Sequence, residues 1–113
     1  MNLKWEPDNS AVVEIMVSEY DYATLDDLKE TIDEIRGGAE SMTIIFDLKS
    51  VDVPGSEKFK EIIKLVMDVL EYTKDDNILD RINIKNAGFL FRFFYRPFSL
   101  AIPREIRKAI VFI

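Results

Sequence analysis

MTIIFDL, residues 42–48, is apolar through nearly its whole length. A run this short, rich in β-branched residues, reads as a strand, and its lack of polar alternation predicts a central strand covered on both faces. Helical patterns flank it. Upstream, Leu25, Leu28, Ile32 and Ile35 recur at helical spacing. Thr24 reads as the N-cap of that helix, with Asp27 in capping-box position and Asp26 complementing the helix dipole. Gly37-Gly38 reads as its left-handed stop. Downstream, Pro54 and Gly55 break the chain, and Ser56 opens a second helix to about Tyr72. Phe59, Ile62, Ile63, Val66 and Leu70 form its buried stripe.

The same reading extends to both ends. AVVEIMV (11–17) is a β-branched strand, and NLKWE (2–6) is a candidate extra edge strand. RINIKN (81–86) alternates as a short strand. The aromatic stretch after it reads as a helix to about Phe98, limited by Pro97. IPREIR (102–107) supplies a helical turn, and KAIVFI (108–113) a closing strand. Strands alternating with helices imply the order β-α-β-α-β-α-β: a small, mixed, mostly parallel α/β sheet with right-handed crossovers. At 113 residues this is a single domain, 1–113.

Composition removes most catalytic chemistry. The chain has no cysteine and no histidine, so thiol nucleophiles, the usual zinc ligands and the usual neutral-pH proton shuttle are missing. There is no glycine-rich phosphate loop and no nucleophile elbow. The sequence therefore predicts a protein that is not an enzyme and holds no metal or cofactor. DDNILD (75–80) reads as a solvated turn. The N-terminus carries no apolar signal segment, and no apolar run approaches the roughly 18–20 residues that span a bilayer. The implied location is cytoplasmic, with membrane contact only at a surface.

Charge is divided unevenly. Residues 1–80 hold eight Lys/Arg against twenty Asp/Glu, whereas residues 81–113 hold seven against Glu105 alone. The acidic body disfavours nucleic acid as a partner, while the basic C-terminal third leaves an anionic partner open. Within that third, NAGFLFRFFYRPF (86–98) gathers six aromatics and two arginines without an acid. On a helix Phe91/Tyr95, Phe94/Phe98 and Arg92/Arg96 each pair at i,i+4. Aromatics then cover most of the circumference, so the helix is either packed into the core or presented to lipid or a protein partner. Area bookkeeping, at roughly 1.5–3 kcal/mol per aromatic side chain, predicts that Phe89, Phe93 and Phe94 collapse onto the sheet while Arg92 and Arg96 stay exposed.

Several motifs in order resemble the CRAL-TRIO (Sec-fourteen-like) lipid-binding domain. They are Phe46-Asp47-Leu48, Asn86-Ala87-Gly88-Phe89, Arg96-Pro97-Phe98 and Lys108-Ala109-Ile110-Val111-Phe112. The resemblance spans residues 42–113 and departs from the family at Gly88, where a proline is usual. The family's N-terminal helical region, and the loop, helix and strand that finish its pocket, have no counterpart here, which implies a pocket that is small or shut. The resemblance implies a non-enzymatic domain that binds phospholipid or another hydrophobic small molecule, peripheral to membranes and with affinity for phosphoinositide-type headgroups. The same βαβα core is similar to STAS domains, the anti-sigma-factor antagonists, which implies instead a protein-interaction module without lipid. In that family a serine at a helix start is phosphorylated, and Ser56 is the corresponding candidate.

The candidate lipid-binding or membrane-facing residues are Phe89, Phe91, Arg92, Phe94, Tyr95, Arg96, Phe98, Arg104, Arg107 and Lys108. For the cations the alternative is plain solvation; for the aromatics it is core packing. Asp47 and Asn86 fall at the carboxyl ends of strands, where open α/β sheets bind ligands, and where loop capping is the competing role.

Overall fold

The β-branched segments form strands and the periodic segments form helices, in the order the sequence implies. The computed structural model describes residues 1–19, 22–49, 51, 56–75 and 77–113. Its strands are β1 (Asn2–Trp5), β2 (Ser10–Met16), β3 (Ser41–Asp47), β4 (Leu79–Lys85) and β5 (Ile110–Phe112). Its α-helices are α1 (Tyr22–Arg36), α2 (Ser56–Thr73), α3 (Phe89–Ser99) and α4 (Arg104–Ala109), and a 3-10 turn covers Val17–Glu19. The five strands lie side by side in chain order. β1 runs antiparallel to β2, and every later pair is parallel.

Sequential parallel order has a structural consequence. Each crossover steps one strand in the same direction, so right-handed crossovers deliver every helix to one face of the sheet. Burial follows that rule. Ala11, Val13 and Ile15 on β2, Met42, Ile44 and Phe46 on β3, and Ile82 and Ile84 on β4 are buried. They share one core with Leu28, Ile32 and Ile35 of α1, Phe59, Ile62, Ile63, Val66 and Val69 of α2, and Phe91 of α3. Their neighbours Val12, Met16, Thr43, Ile45 and Asn83 point the other way and are only partly buried. The two-sided reading of MTIIFDL is thus corrected: β3 is covered on one face. Ile45 sits in register between Glu14 and Asn83 on the other.

Local punctuation differs from the sequence reading in three places. First, α1 is already helical at Tyr22, so Thr24 lies inside its first turn and is not the N-cap. Second, neither Gly37 nor Gly38 adopts a positive φ. The helix ends instead through tightened turns, with Gly37 N–H donating to Glu34 O and Gly38 N–H to Ile35 O. Gly38 serves close approach: a Cβ there would stand 3.3 Å from the Trp5 ring of β1. Third, Lys108 and Ala109 belong to α4, so the last strand begins only at Ile110.

The β1–β2 connection shows why its residues were chosen. Glu6 N–H donates to Ser10 O at 2.8 Å, and Asn9 takes the left-handed conformation with φ 67. Pro7 and Asp8 lead into Asn9, whose N–H returns to Glu6 O at 3.1 Å, and Asp8 accepts bonds from both the backbone and hydroxyl of Ser10. Across the helical layer, Arg36 donates to Asp33 and to the carbonyl of Tyr72, and stacks 4.6 Å over the Tyr72 ring. The Tyr72 hydroxyl donates to Asp33 at 2.8 Å, which raises the phenol's pKa. That group fastens the carboxyl end of α1 to that of α2.

One-sided coverage sets the expected cost of truncation. Ile44→Ala should destabilise by about 2–5 kcal/mol, and the adjacent Ile45→Ala by roughly half of that or less. Urea unfolding of the two variants checks this; equal losses would mean that the outer face is covered as well.

Candidate ligand- and membrane-facing site

α3 is an eleven-residue helix, FLFRFFYRPFS. Its aromatics sort into two stripes. Phe91, Phe94, Tyr95 and Phe98 recur at i, i+3, i+4 and i+7 and face inward. Phe91 is fully buried; the other three are half-buried against the core. Phe59 of α2 receives them, with ring centroids 5.0 Å from Phe91 and 5.9 Å from both Phe94 and Phe98. Phe112 of β5 meets Tyr95 at 5.0 Å and Phe91 at 6.1 Å. Burial also pushes the Tyr95 phenol's pKa upward, so it stays neutral.

The second stripe faces out. Phe89 is 80% exposed, Phe93 60% and Leu100 79%, with Arg96 on the same side. The Phe89 and Phe93 rings stack on one another at 6.3 Å. This corrects the expected collapse: Phe94 packs inward, but Phe89 and Phe93 do not. The reason is geometric. A helix can direct only one stripe at Phe59 and Phe112, and Phe91 occupies its centre. Leu100, and Phe93 as an outward residue, were missed by sequence reasoning, although the i, i+4, i+11 spacing of Phe89, Phe93 and Leu100 carries the signal.

The arginines follow the outward stripe. Arg92 and Arg96 are exposed, and Arg92 lies 5.2 Å above the Phe112 ring. Pro97 is inside the helix without ending it. It forfeits the bond its N–H would make to Phe93 O four residues back, and just beyond it Ser99 Oγ donates to Arg96 O at 2.7 Å. On α4, Arg104 and Lys108 are exposed one turn apart. Arg107 is half-buried and donates to Ser99 O at 3.3 Å. It braces the α3–α4 connection, a role its inclusion among the outward cations did not anticipate.

The strand-end pair closes on itself. Asp47 is 5% exposed and accepts from Asn86 Nδ2 at 2.8 Å and from the Lys49 N–H at 2.9 Å. Asn86 holds φ 59, a left-handed conformation that asparagine tolerates. The Asn86 amide, then the Lys49 N–H and the nearby Lys85 and Lys49 charges, outweigh burial and lower the Asp47 pKa. This geometry joins the ends of β3 and β4. The loop 52–55 and the Ser56 hydroxyl lie outside the described residues. Among those described, no cluster of acids is arranged to hold a metal ion, and no helix is long and apolar enough to cross a membrane.

The sequence pattern of the CRAL/TRIO domain matches residues 5–113. The chain belongs to the CRAL/TRIO family, a family of lipid-binding domains. No curated protein matches it in sequence. Among solved structures, that of Sfh5 is similar to it, with a TM-score of 0.63 and 15% identity over 97% of this chain. The match covers 46% of Sfh5, so this CRAL/TRIO chain spans less than half of that protein's length. At this identity the likeness establishes the fold: a small α/β domain with a mostly parallel five-stranded sheet.

The Asp47–Asn86 bond makes a pH-dependent prediction for this CRAL/TRIO fold. A carboxylate with a depressed folded pKa contributes stability above its unfolded pKa, near 4, and that contribution disappears as pH falls through the folded value. Asn86→Gly keeps the positive φ and removes the amide. It should cost about 1 kcal/mol at neutral pH, with the difference from wild type shrinking below about pH 4. Denaturation midpoints measured across pH 2–7 test this, and a pH-independent difference would remove Asp47 from the account.

Proposed function

We propose that this CRAL/TRIO chain is a non-enzymatic domain that binds a lipid-type hydrophobic molecule and presents the outer stripe of α3 to an anionic membrane surface. The observation that carries the reading is the exposure of Phe89, Phe93 and Leu100 beside Arg92 and Arg96. Each large apolar side chain left in water forgoes roughly 1.5–3 kcal/mol, which immersion in an interface would recover. Aromatics suit that depth, and each cation near an anionic surface adds on the order of 1 kcal/mol. Arg104 and Lys108 on α4 extend the basic region.

The inner stripe supports the lipid half of the proposal. Phe91, Phe94 and Phe98 stand against Phe59 between α3 and α2. An acyl chain could take the place of these rings only if α3 shifts outward, so occupancy of this space and contact of α3 with a membrane are coupled. Immersing the outer stripe would stabilise the shifted helix. A phosphoinositide or phosphatidylserine headgroup fits the exposed guanidinium groups; the cytoplasmic leaflet is where such lipids meet a peripheral protein.

Flotation with vesicles tests the membrane half. Binding should require phosphatidylserine or phosphoinositide, fall with salt, and weaken roughly fivefold for each of Arg92→Gln and Arg96→Gln. Phe89→Ser with Phe93→Ser should abolish it while leaving the fold intact, since neither ring is in the core. Equal binding to neutral vesicles, or none at all, would overturn this half. Organic extraction of the purified protein followed by mass spectrometry tests the other: a stoichiometric lipid supports it, whereas a lipid-free protein that captures a protein partner favours the interaction-module alternative.

A further inference from the structure

β1 leaves one side of the sheet unfinished. The antiparallel ladder alternates between residues that exchange bonds with β2 and residues that do not. Glu6 N–H donates to Ser10 O, which makes Glu6/Ser10 a bonded pair. Counting along the register, Lys4/Val12 and Asn2/Glu14 are bonded as well, while Trp5/Ala11 and Leu3/Val13 are not. The N–H and C=O groups of Leu3 and Trp5 therefore point away from the sheet. Their side chains are also the exposed apolar ones: Leu3 is 37% and Trp5 46% exposed, with Met1 beside them. An edge that offers free backbone groups and an apolar stripe at the same residues is a template for another strand.

We infer that this edge pairs with β1 of a second copy of the chain, antiparallel about a twofold axis, to make one continuous sheet. The family match begins at Trp5, so Asn2 to Lys4 lie outside the span that the family accounts for. The side chains select both the partner and the register. A twofold axis normal to the sheet keeps the two helical faces together, so odd residues must oppose odd ones. Two registers satisfy this with most of the strand overlapped. In one, Leu3 opposes Trp5 and the two Lys4 side chains face each other directly, a like-charge pair that destabilises. In the other, Leu3 opposes Leu3, Met1 opposes Trp5, and Lys4 opposes Asn2. The second register has no charge conflict. It joins Met1, Leu3 and Trp5 of both copies in one apolar patch and uses the outward backbone groups of all three.

Light scattering or sedimentation over a concentration series reads the result. Wild type should dimerise with increasing concentration, and amide exchange at Leu3 and Trp5 should slow as it does. Leu3→Pro removes an N–H that points away from β2, so it should weaken the dimer roughly tenfold or more without touching the intramolecular ladder. Asn2→Asp is the register test and cannot be mimicked by misfolding. It places a carboxylate opposite Lys4 and should tighten the dimer severalfold at low salt, whereas the rejected register opposes it to Glu6 and would weaken it. A protein that stays monomeric at high concentration, a dimer indifferent to Leu3→Pro, or one broken by Phe89→Ser with Phe93→Ser would overturn the inference.

Discussion

Parallel strands laid down in chain order confine every helix to one face of the sheet, and much of the molecule follows from that confinement. α1 and α2 cover β2, β3 and the start of β4, and their stripes are fully committed there. α3 follows them in the chain and packs between α2 and β5, against Phe59 and Phe112. β5 is only three residues long, and the inward groups it offers are Ile110 and Phe112. The surface left for α3 is therefore narrow. A helix with aromatics around most of its circumference can bury one stripe on such a surface, and the other must face outward.

Phe59 and Phe112 decide which stripe goes in. One ring comes from the first turn of α2 and the other from the last strand, and between them they contact Phe91, Phe94, Tyr95 and Phe98. Aromatic pairs of this kind add about 0.5–1.5 kcal/mol each beyond burial, so α3 is held mainly by ring-on-ring contacts. Such contacts are short-ranged and interchangeable with other apolar groups of similar volume. A helix held this way can be displaced by a hydrophobic ligand more readily than one held by hydrogen bonds across the sheet. In the proposed function, these are the rings that would yield their place to a lipid.

The order of elements, the buried stripes of α1 and α2 and the extra edge strand were legible because each rests on local periodicity. Leu28, Ile32 and Ile35, or Ile62, Ile63 and Val66, need only a single apolar face to be read. The orientation of α3 was not legible, because Phe91 and Phe93 are chemically identical and differ only in what stands opposite. That partner, Phe59, is thirty-two residues away from Phe91 in the chain. Coverage of β3 failed for a related reason: Thr43 and Ile45 are good strand formers on an uncovered face as well as a covered one. The Gly37-Gly38 reading failed because glycine permits a left-handed stop without requiring it, and here the ring of Trp5 explains Gly38. Of the site residues, the exposed arginines could be read from charge. The mutual bond of Asp47 and Asn86 could not, because β3 and β4 had first to be placed side by side.

Charge completes the picture. The Asp47 carboxylate is occupied by Asn86 and Lys49, so the carboxyl ends of β3 and β4 have little free capacity to bind a headgroup. In the proposed function, recognition of an anionic surface falls to the cations around α3 and α4. The chain as a whole carries a net charge of −6 and would be repelled by such a surface if its charge acted at its centre. It does not, because the molecule extends 39 × 29 × 23 Å and the Debye length in physiological salt is about 8 Å. Charges more than a Debye length from a membrane touching α3 would be screened, while the exposed Arg92 and Arg96 on α3 itself would be within range. Under the proposed function the acidic body would act as an orienting device, turning its own mass away and leaving the basic, aromatic helix as the approach of lowest energy.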